Sequence, residues 1–268
     1  MPLEMFDEST GTHIVYIKNQ NAPADMWLIH GFTECSESLQ GVFETSIAQQ
    51  FNIFIPDLPG FGKSCFEDKY LDLKNVITLL EQLITTYSSE KPLIILGHSL
   101  GATIATHLTA NLLTRSENVI FFINVEGMLV EDKIDARSIT KANDYENATE
   151  FVEYMYSRLK EGAESNPSLN RYLENIKKSD PNIVHAWAKS STEMLAGNHI
   201  DSIYDRLACK NLYVHGEHTM SRLELENLKK VDYERVIIKG AGHWPMLEQA
   251  DEFWRVVGEL LGGRIFNY

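Results

Sequence analysis

Three cysteines, Cys35, Cys65 and Cys209, are too few, too scattered and the wrong parity for a disulfide framework or a zinc site. A reducing, cytoplasmic setting is the expectation. Positive charge is also scarce: 24 Lys and Arg against 38 Asp and Glu leave a formal charge of −14. Nucleic acid and anionic membrane both need a basic face to displace counterions, so neither is an expected partner. No apolar run approaches the roughly 18 to 20 residues of a membrane span. The start, Met1 to Glu8, is acidic and lacks the basic-then-apolar order of a secretory signal. Internal repeats and low-complexity stretches are missing too. What is present is ordinary: 268 residues, 44% hydrophobic and 23% charged, enough for one large α/β domain or one domain carrying an insertion.

Short, near-continuous apolar runs at 26–30, 51–55, 93–96 and 119–125 read as strands buried on both faces, hence a parallel sheet covered by helices. Between them, apolar residues three and four apart over 71–87 and 103–113 predict helices. Strand–helix–strand units of this length imply a doubly wound sheet. The segments 3–6 and 13–17 form an expected antiparallel hairpin on its edge. After Val125 the rhythm stops. The stretch to about residue 207 is rich in Glu, Lys, Asn, Ser and Tyr, with helical spacing near 149–160, 169–177 and 183–195 and prolines at 167 and 181. Strands resume at 212–215 and 235–239, and 246–261 reads as a closing helix. An insertion between two sheet strands is a candidate cap over the ligand site, since loops at the carboxyl ends of a parallel sheet surround that site.

Gly97-His98-Ser99-Leu100-Gly101 follows one strand directly and opens a helix, the setting in which G-x-S-x-G makes a nucleophile elbow. The turn is sharp enough that the neighbours of the serine must lack Cβ. The helix start brings a positive dipole end and frees the Leu100 N–H for an oxyanion. His30-Gly31-Phe32 ends the 26–30 strand, and the Phe32 N–H is a second candidate donor; His30 is expected to order the loop and do no chemistry. Gly240-Ala241-Gly242-His243-Trp244-Pro245 is a Gly-rich loop after the last strand, where His243 can take the Ser99 proton and later deliver it. The other histidines (His13, His98, His107, His185, His199, His215, His218) lack that combination.

Together with Asp57-Leu58-Pro59-Gly60-Phe61-Gly62-Lys63-Ser64, these segments resemble the α/β-hydrolase family in order and spacing over 12–126 and 208–262. The resemblance implies an α/β fold with a doubly wound, mostly parallel sheet. Its core would span 1–127 and 208–268, and an inserted helical cap 128–207. It also implies Ser99 as nucleophile, His243 as general base, Phe32 and Leu100 as oxyanion amides, and no cofactor or metal. One departure matters: the position at which the family usually carries the triad acid is Thr219, and threonine carries no charge. Glu126, at the end of the strand following the elbow helix, is the preferred substitute, ahead of Glu217. A dyad without an acid and a purely structural Glu126 remain open.

Two look-alikes fail. Gly62-Lys63-Ser64 imitates a phosphate-binding loop, but the required first glycine is Asp57. His215, Glu217 and His218 match no usual metal spacing. Cys35 and Cys65 are expected to be passive. Tyr145, Tyr154, Met155, Tyr156 and Trp187 of the insertion read as packing. The expected activity is a serine hydrolase that opens a carboxylic ester-type bond (ester, lactone or thioester) through an acyl-enzyme, on a small, neutral, partly apolar substrate. Two alternatives stay open: C–C bond or amide hydrolysis with the same triad, although relatives that cleave C–C bonds often carry Asn at the His98 position, and a nearly non-catalytic ligand receptor.

Overall fold

Alternation along the central strands decides the architecture. In β3 (Asp25–Ile29), Trp27 and Ile29 face one apolar core, while Met26 and Leu28 face another, and all four are fully buried. A strand with no wet face must lie inside a sheet covered on both sides. The computed structural model describes residues 1–88, 90–128, 138–163, 166–197, 200–219 and 234–265. Its sheet has eight strands: β1 (Leu3–Asp7), β2 (Thr12–Ile17), β3, β4 (Asn52–Pro56), β5 (Leu93–His98), β6 (Val119–Val125), β7 (Lys210–Gly216) and β8 (Arg235–Ile238), in the spatial order β1-β2-β4-β3-β5-β6-β7-β8. β1 pairs antiparallel with β2, and β2 antiparallel with β4. Every other pairing is parallel.

Helices cover both faces. Apolar residues of α2 (Leu73–Tyr87) and α3 (Leu100–Thr114), such as Leu80 and Leu108, close the core under Trp27 and Ile29. The opposite core takes Ile47 and Ala48 from the four-residue α1 (Ile47–Gln50) and Phe253, Trp254, Val257 and Leu261 from α9 (Ala250–Ile265). After β3 the chain moves outward to β4, then crosses to β5 on the other side of β3. That reversal opens a crevice at the carboxyl ends of β3 and β5, where ligand sites of such sheets form.

Between β6 and β7 the described residues are helical: α4 (Ala148–Ala163), α5 (Pro167–Lys178), α6 (Pro181–Gly197) and α7 (Ile200–Tyr204). The prolines in the sequence mark the starts of α5 and α6, where a missing N–H costs nothing; Asn166 caps α5 by accepting the Ser168 and Leu169 N–H groups. Trp187 is buried with its N–H on the Tyr70 carbonyl at 2.8 Å, and Met155 is buried, so both are packing residues. The expected closing helix is in fact two. α8 (Pro245–Glu248) and α9 are separated by Gln249, whose backbone at φ −137° and ψ 54° is not helical. The break leaves the Glu248 carboxylate to accept the Gly242 N–H in the His243 loop, a tertiary contact that helical periodicity does not encode. Among the described residues no helix is long and apolar enough to cross a membrane.

Asp57, just beyond β4, locks the loops at this edge. Its buried carboxylate accepts the Ser36 N–H at 2.6 Å, the Lys63 N–H at 2.9 Å and His13 Nδ1 at 2.8 Å. A Cβ at Gly62 would fall on that carboxylate. Asp57 is therefore a structural anchor, and the Gly-Lys-Ser sequence wraps around it and not around a phosphate. Burial raises its pKa, but His30 and the donated N–H groups of Lys63 and Ser36 more than offset this and the net shift is downward. A depressed carboxyl stabilises the fold above its unfolded pKa of about 4 and ceases to do so as pH falls through the lower folded value. Asp57→Asn is expected to cost about 2 kcal/mol at neutral pH. In urea denaturation the gap to the parent should narrow below pH ~4; a gap independent of pH would contradict the anchor role.

Candidate active site

The turn between β5 and α3 holds Ser99 at φ 52° and ψ −120°, a conformation that L-residues rarely adopt. Both flanking glycines are required by contact. A Cβ at Gly97 would lie 2.5 Å from the Ala102 Cα, and one at Gly101 would overlap the carbonyls of Ile29 and His30 at the end of β3. The elbow therefore presses directly on the end of β3, from which the chain runs on to Phe32. Among the described residues the Leu100 and Phe32 N–H groups have no hydrogen-bond partner, and both residues are nearly buried, at 7% and 4% exposure. They are available to an incoming oxyanion.

His243 Nε2 stands 2.9 Å from the Ser99 Oγ, and its Nδ1 stands 3.3 Å from Glu126 Oε2. An ionised carboxylate only accepts, so Nδ1 carries the proton and Nε2 is left to accept the serine hydroxyl. Glu126 is 3% exposed, has φ 57°, and takes the Gly216 N–H on its other oxygen at 2.6 Å. Its own N–H reaches the Val214 carbonyl, and Asn124 accepts the Gly127 N–H, which sets the turn. Burial raises the Glu126 pKa; the His243 hydrogen bond and charge, the Gly216 N–H and the neighbouring Thr219 hydroxyl outweigh it, so the carboxyl titrates below its ordinary value. Thr219, at the usual acid position, thus lies beside the Glu126 carboxylate. Glu217 turns away: it is exposed and accepts the Gly240 N–H at 2.9 Å.

The remaining histidines do other work. His30 is fully buried; its Nε2 accepts the Leu58 N–H and its Nδ1 donates to the Gly31 carbonyl, so it orders the loop as expected, and burial pushes its pKa down. His185 bonds the Ala142 carbonyl, His215 the Gly216 carbonyl, and His218 is exposed. His199 lies outside the described residues. Burial pushes the Cys35 and Cys209 thiols up to about 11, which leaves little thiolate at neutral pH. Two residues escaped sequence reasoning. His98 and Glu34 are buried together behind the His243 loop. The available signal was an acid placed inside the Gly-Phe loop, with a histidine beside the nucleophile.

A model of the alpha/beta hydrolase family matches residues 28–256. The chain belongs to that family. Comparison with curated protein sequences gave no match. Solved structures resemble it over nearly the whole chain. A thermophilic esterase from Thermogutta terrifontis is 19% identical with a TM-score of 0.71, covering 97% of this chain and 98% of its own. The N-acyl homoserine lactonase AidH is 15% identical with a TM-score of 0.73, covering 100% and 99%. MenH from S. aureus is 17% identical with a TM-score of 0.73, covering 95% and 99%. At these identities the likeness establishes the fold, and the chemistry must be argued from the residues.

Replacing Gly101 by Ala should test the elbow's close approach. The added methyl meets backbone carbonyls that cannot rotate away, so a loss of about 3 kcal/mol or more is expected in chemical denaturation. A variant as stable as the parent would mean that β3 and α3 do not touch there.

Proposed function

We propose that this family member is a serine hydrolase that cleaves a carboxylic ester-type bond in a small, neutral, partly apolar substrate. The observation that carries the reading is the line Ser99 Oγ, His243, Glu126, at 2.9 and 3.3 Å, together with the Leu100 and Phe32 N–H groups, which have no partner among the described residues. In this reading His243 takes the Ser99 proton as Oγ attacks the carbonyl. The Phe32 and Leu100 N–H groups hold the oxyanion, which collapses as His243 protonates the leaving alkoxide. Water, deprotonated by His243, then opens the acyl-enzyme. Glu126 stays ionised throughout and stabilises the imidazolium formed in each half-reaction.

The esterase and lactonase among similar structures are consistent with ester-type chemistry, and serine at the elbow supplies the nucleophile for it. The insertion at 128–207 acts as the cap: Tyr172 of α5 packs on Trp244, next to His243, with ring centroids 5.4 Å apart, and Asn166 donates to Glu248 at 3.2 Å. Three unpaired thiols suit a reducing cytoplasm.

Turnover of p-nitrophenyl esters from acetyl to dodecanoyl tests the reading and sizes the acyl pocket. Ser99→Ala should lower kcat by about 10⁴-fold or more. Glu126→Gln should cost about 10⁴-fold in folded protein, while Glu217→Gln stays within about twofold because its side chain is exposed and outside the site. Full turnover in Glu126→Gln with loss in Glu217→Gln would reverse the acid assignment. Hydrolysis that survives Ser99→Ala would remove the serine mechanism.

A further inference from the structure

We propose that Glu34 and His98 form a buried, permanently charged pair that holds the His243 loop and the Phe32 loop in register, making both positioning residues for the proposed hydrolysis. Both nitrogens of His98 face groups that only accept. Nε2 lies 2.7 Å from the His243 carbonyl oxygen, and Nδ1 lies 3.0 Å from Glu34 Oε1. A carbonyl has no proton to give. Glu34 has no need of one either: Trp244 Nε1 donates to it at 2.9 Å, Ser38 Oγ at 2.8 Å and the Gly31 N–H at 3.2 Å. Four donors surround one carboxylate, so it is ionised, and His98 must carry protons on both nitrogens. The ring is an imidazolium.

The pair touches the Phe32 loop, the elbow and the His243 loop. Glu34 accepts from Gly31, the residue before the Phe32 N–H, and from Trp244, the residue after the base. His98 immediately precedes Ser99 and grips the backbone of His243 itself. Gly31 is glycine because a Cβ there would lie 2.7 Å from Glu34 Oε1 and 2.9 Å from His98 Nδ1. The charged and titratable groups facing His98 are Glu34 from the loop after β3, Glu126 from the end of β6, His30 from the end of β3, and the His243 ring with its centroid 5.0 Å away. Burial by itself would deprotonate His98; the Glu34 charge and hydrogen bond outweigh it and raise the pKa. Burial likewise works against the Glu34 charge, and His98 brings its pKa down to about 2.

Because the inference rests on the proposed function, its test has one arm independent of turnover. Long-range ¹H–¹⁵N spectra of the imidazoles in the parent protein should show both nitrogens of His98 still protonated above the ordinary histidine pKa of about 6.5. One unprotonated nitrogen at pH ~7 would overturn the charged pair. In Glu34→Gln, His98 should lose a proton at lower pH than in the parent. With an ester as substrate, kcat should fall by up to about 100-fold, as expected for displacement of a base by an ångström or less, with KM little changed. An unchanged kcat in that variant, or a loss confined to KM, would overturn the positioning role. If the parent hydrolyses no ester, the proposed function fails while the His98 spectrum still decides the pair.

Discussion

The close approach of α3 to the end of β3 is the contact on which the rest of this site depends. Gly101 sits against the carbonyls of Ile29 and His30, leaving no room for a side chain. That contact forces the turn before α3 into the strained conformation of Ser99 and lifts the hydroxyl out of the sheet. It also brings the first N–H of the helix beside the chain segment that begins at Gly31. Strain at one residue and two absent methyl groups thus place the Ser99 hydroxyl and two backbone N–H groups within one crevice.

Around that crevice the protein repeats one electrostatic device three times. Asp57, Glu34 and Glu126 are each buried at the carboxyl edge of the sheet, each accepts backbone N–H groups, and each faces an imidazole. Buried carboxylates survive only with such partners. What separates the three is where the far nitrogen of the imidazole points. That of His13 meets Glu4 and that of His98 meets a backbone carbonyl, both acceptors. Only that of His243 meets a hydroxyl, on Ser99. The same pairing therefore serves as an anchor twice and can pass a proton once.

The strands and the elbow were readable from sequence because their signals are local: unbroken apolar runs, and glycines at fixed offsets around Ser99. The sheet edge hairpin was readable for the same reason. That Glu126 stands beside His243 was legible only through a mismatch: Thr219 occupies the position where the family resemblance leads one to expect an acid, and the two are neighbours in the fold. The pairing of Glu34 with His98 was not legible. Glu34 meets Gly31 and Ser38 locally, but His98 lies 64 positions from Glu34 and 145 from His243, contacts that no window of sequence can hold. The break at Gln249 was missed because apolar spacing runs through it, and the short α7 because five residues hold too little periodicity.

The central claim is that Ser99 is an activated nucleophile. Labelling with a fluorophosphonate, followed by intact mass and peptide mapping, tests it without assuming a substrate, since the probe phosphonylates serines made nucleophilic by a neighbouring base. The account predicts a single adduct, located on Ser99 and lost when His243 is replaced by Ala. Folded protein that takes up no label, or takes it elsewhere than Ser99, would contradict it.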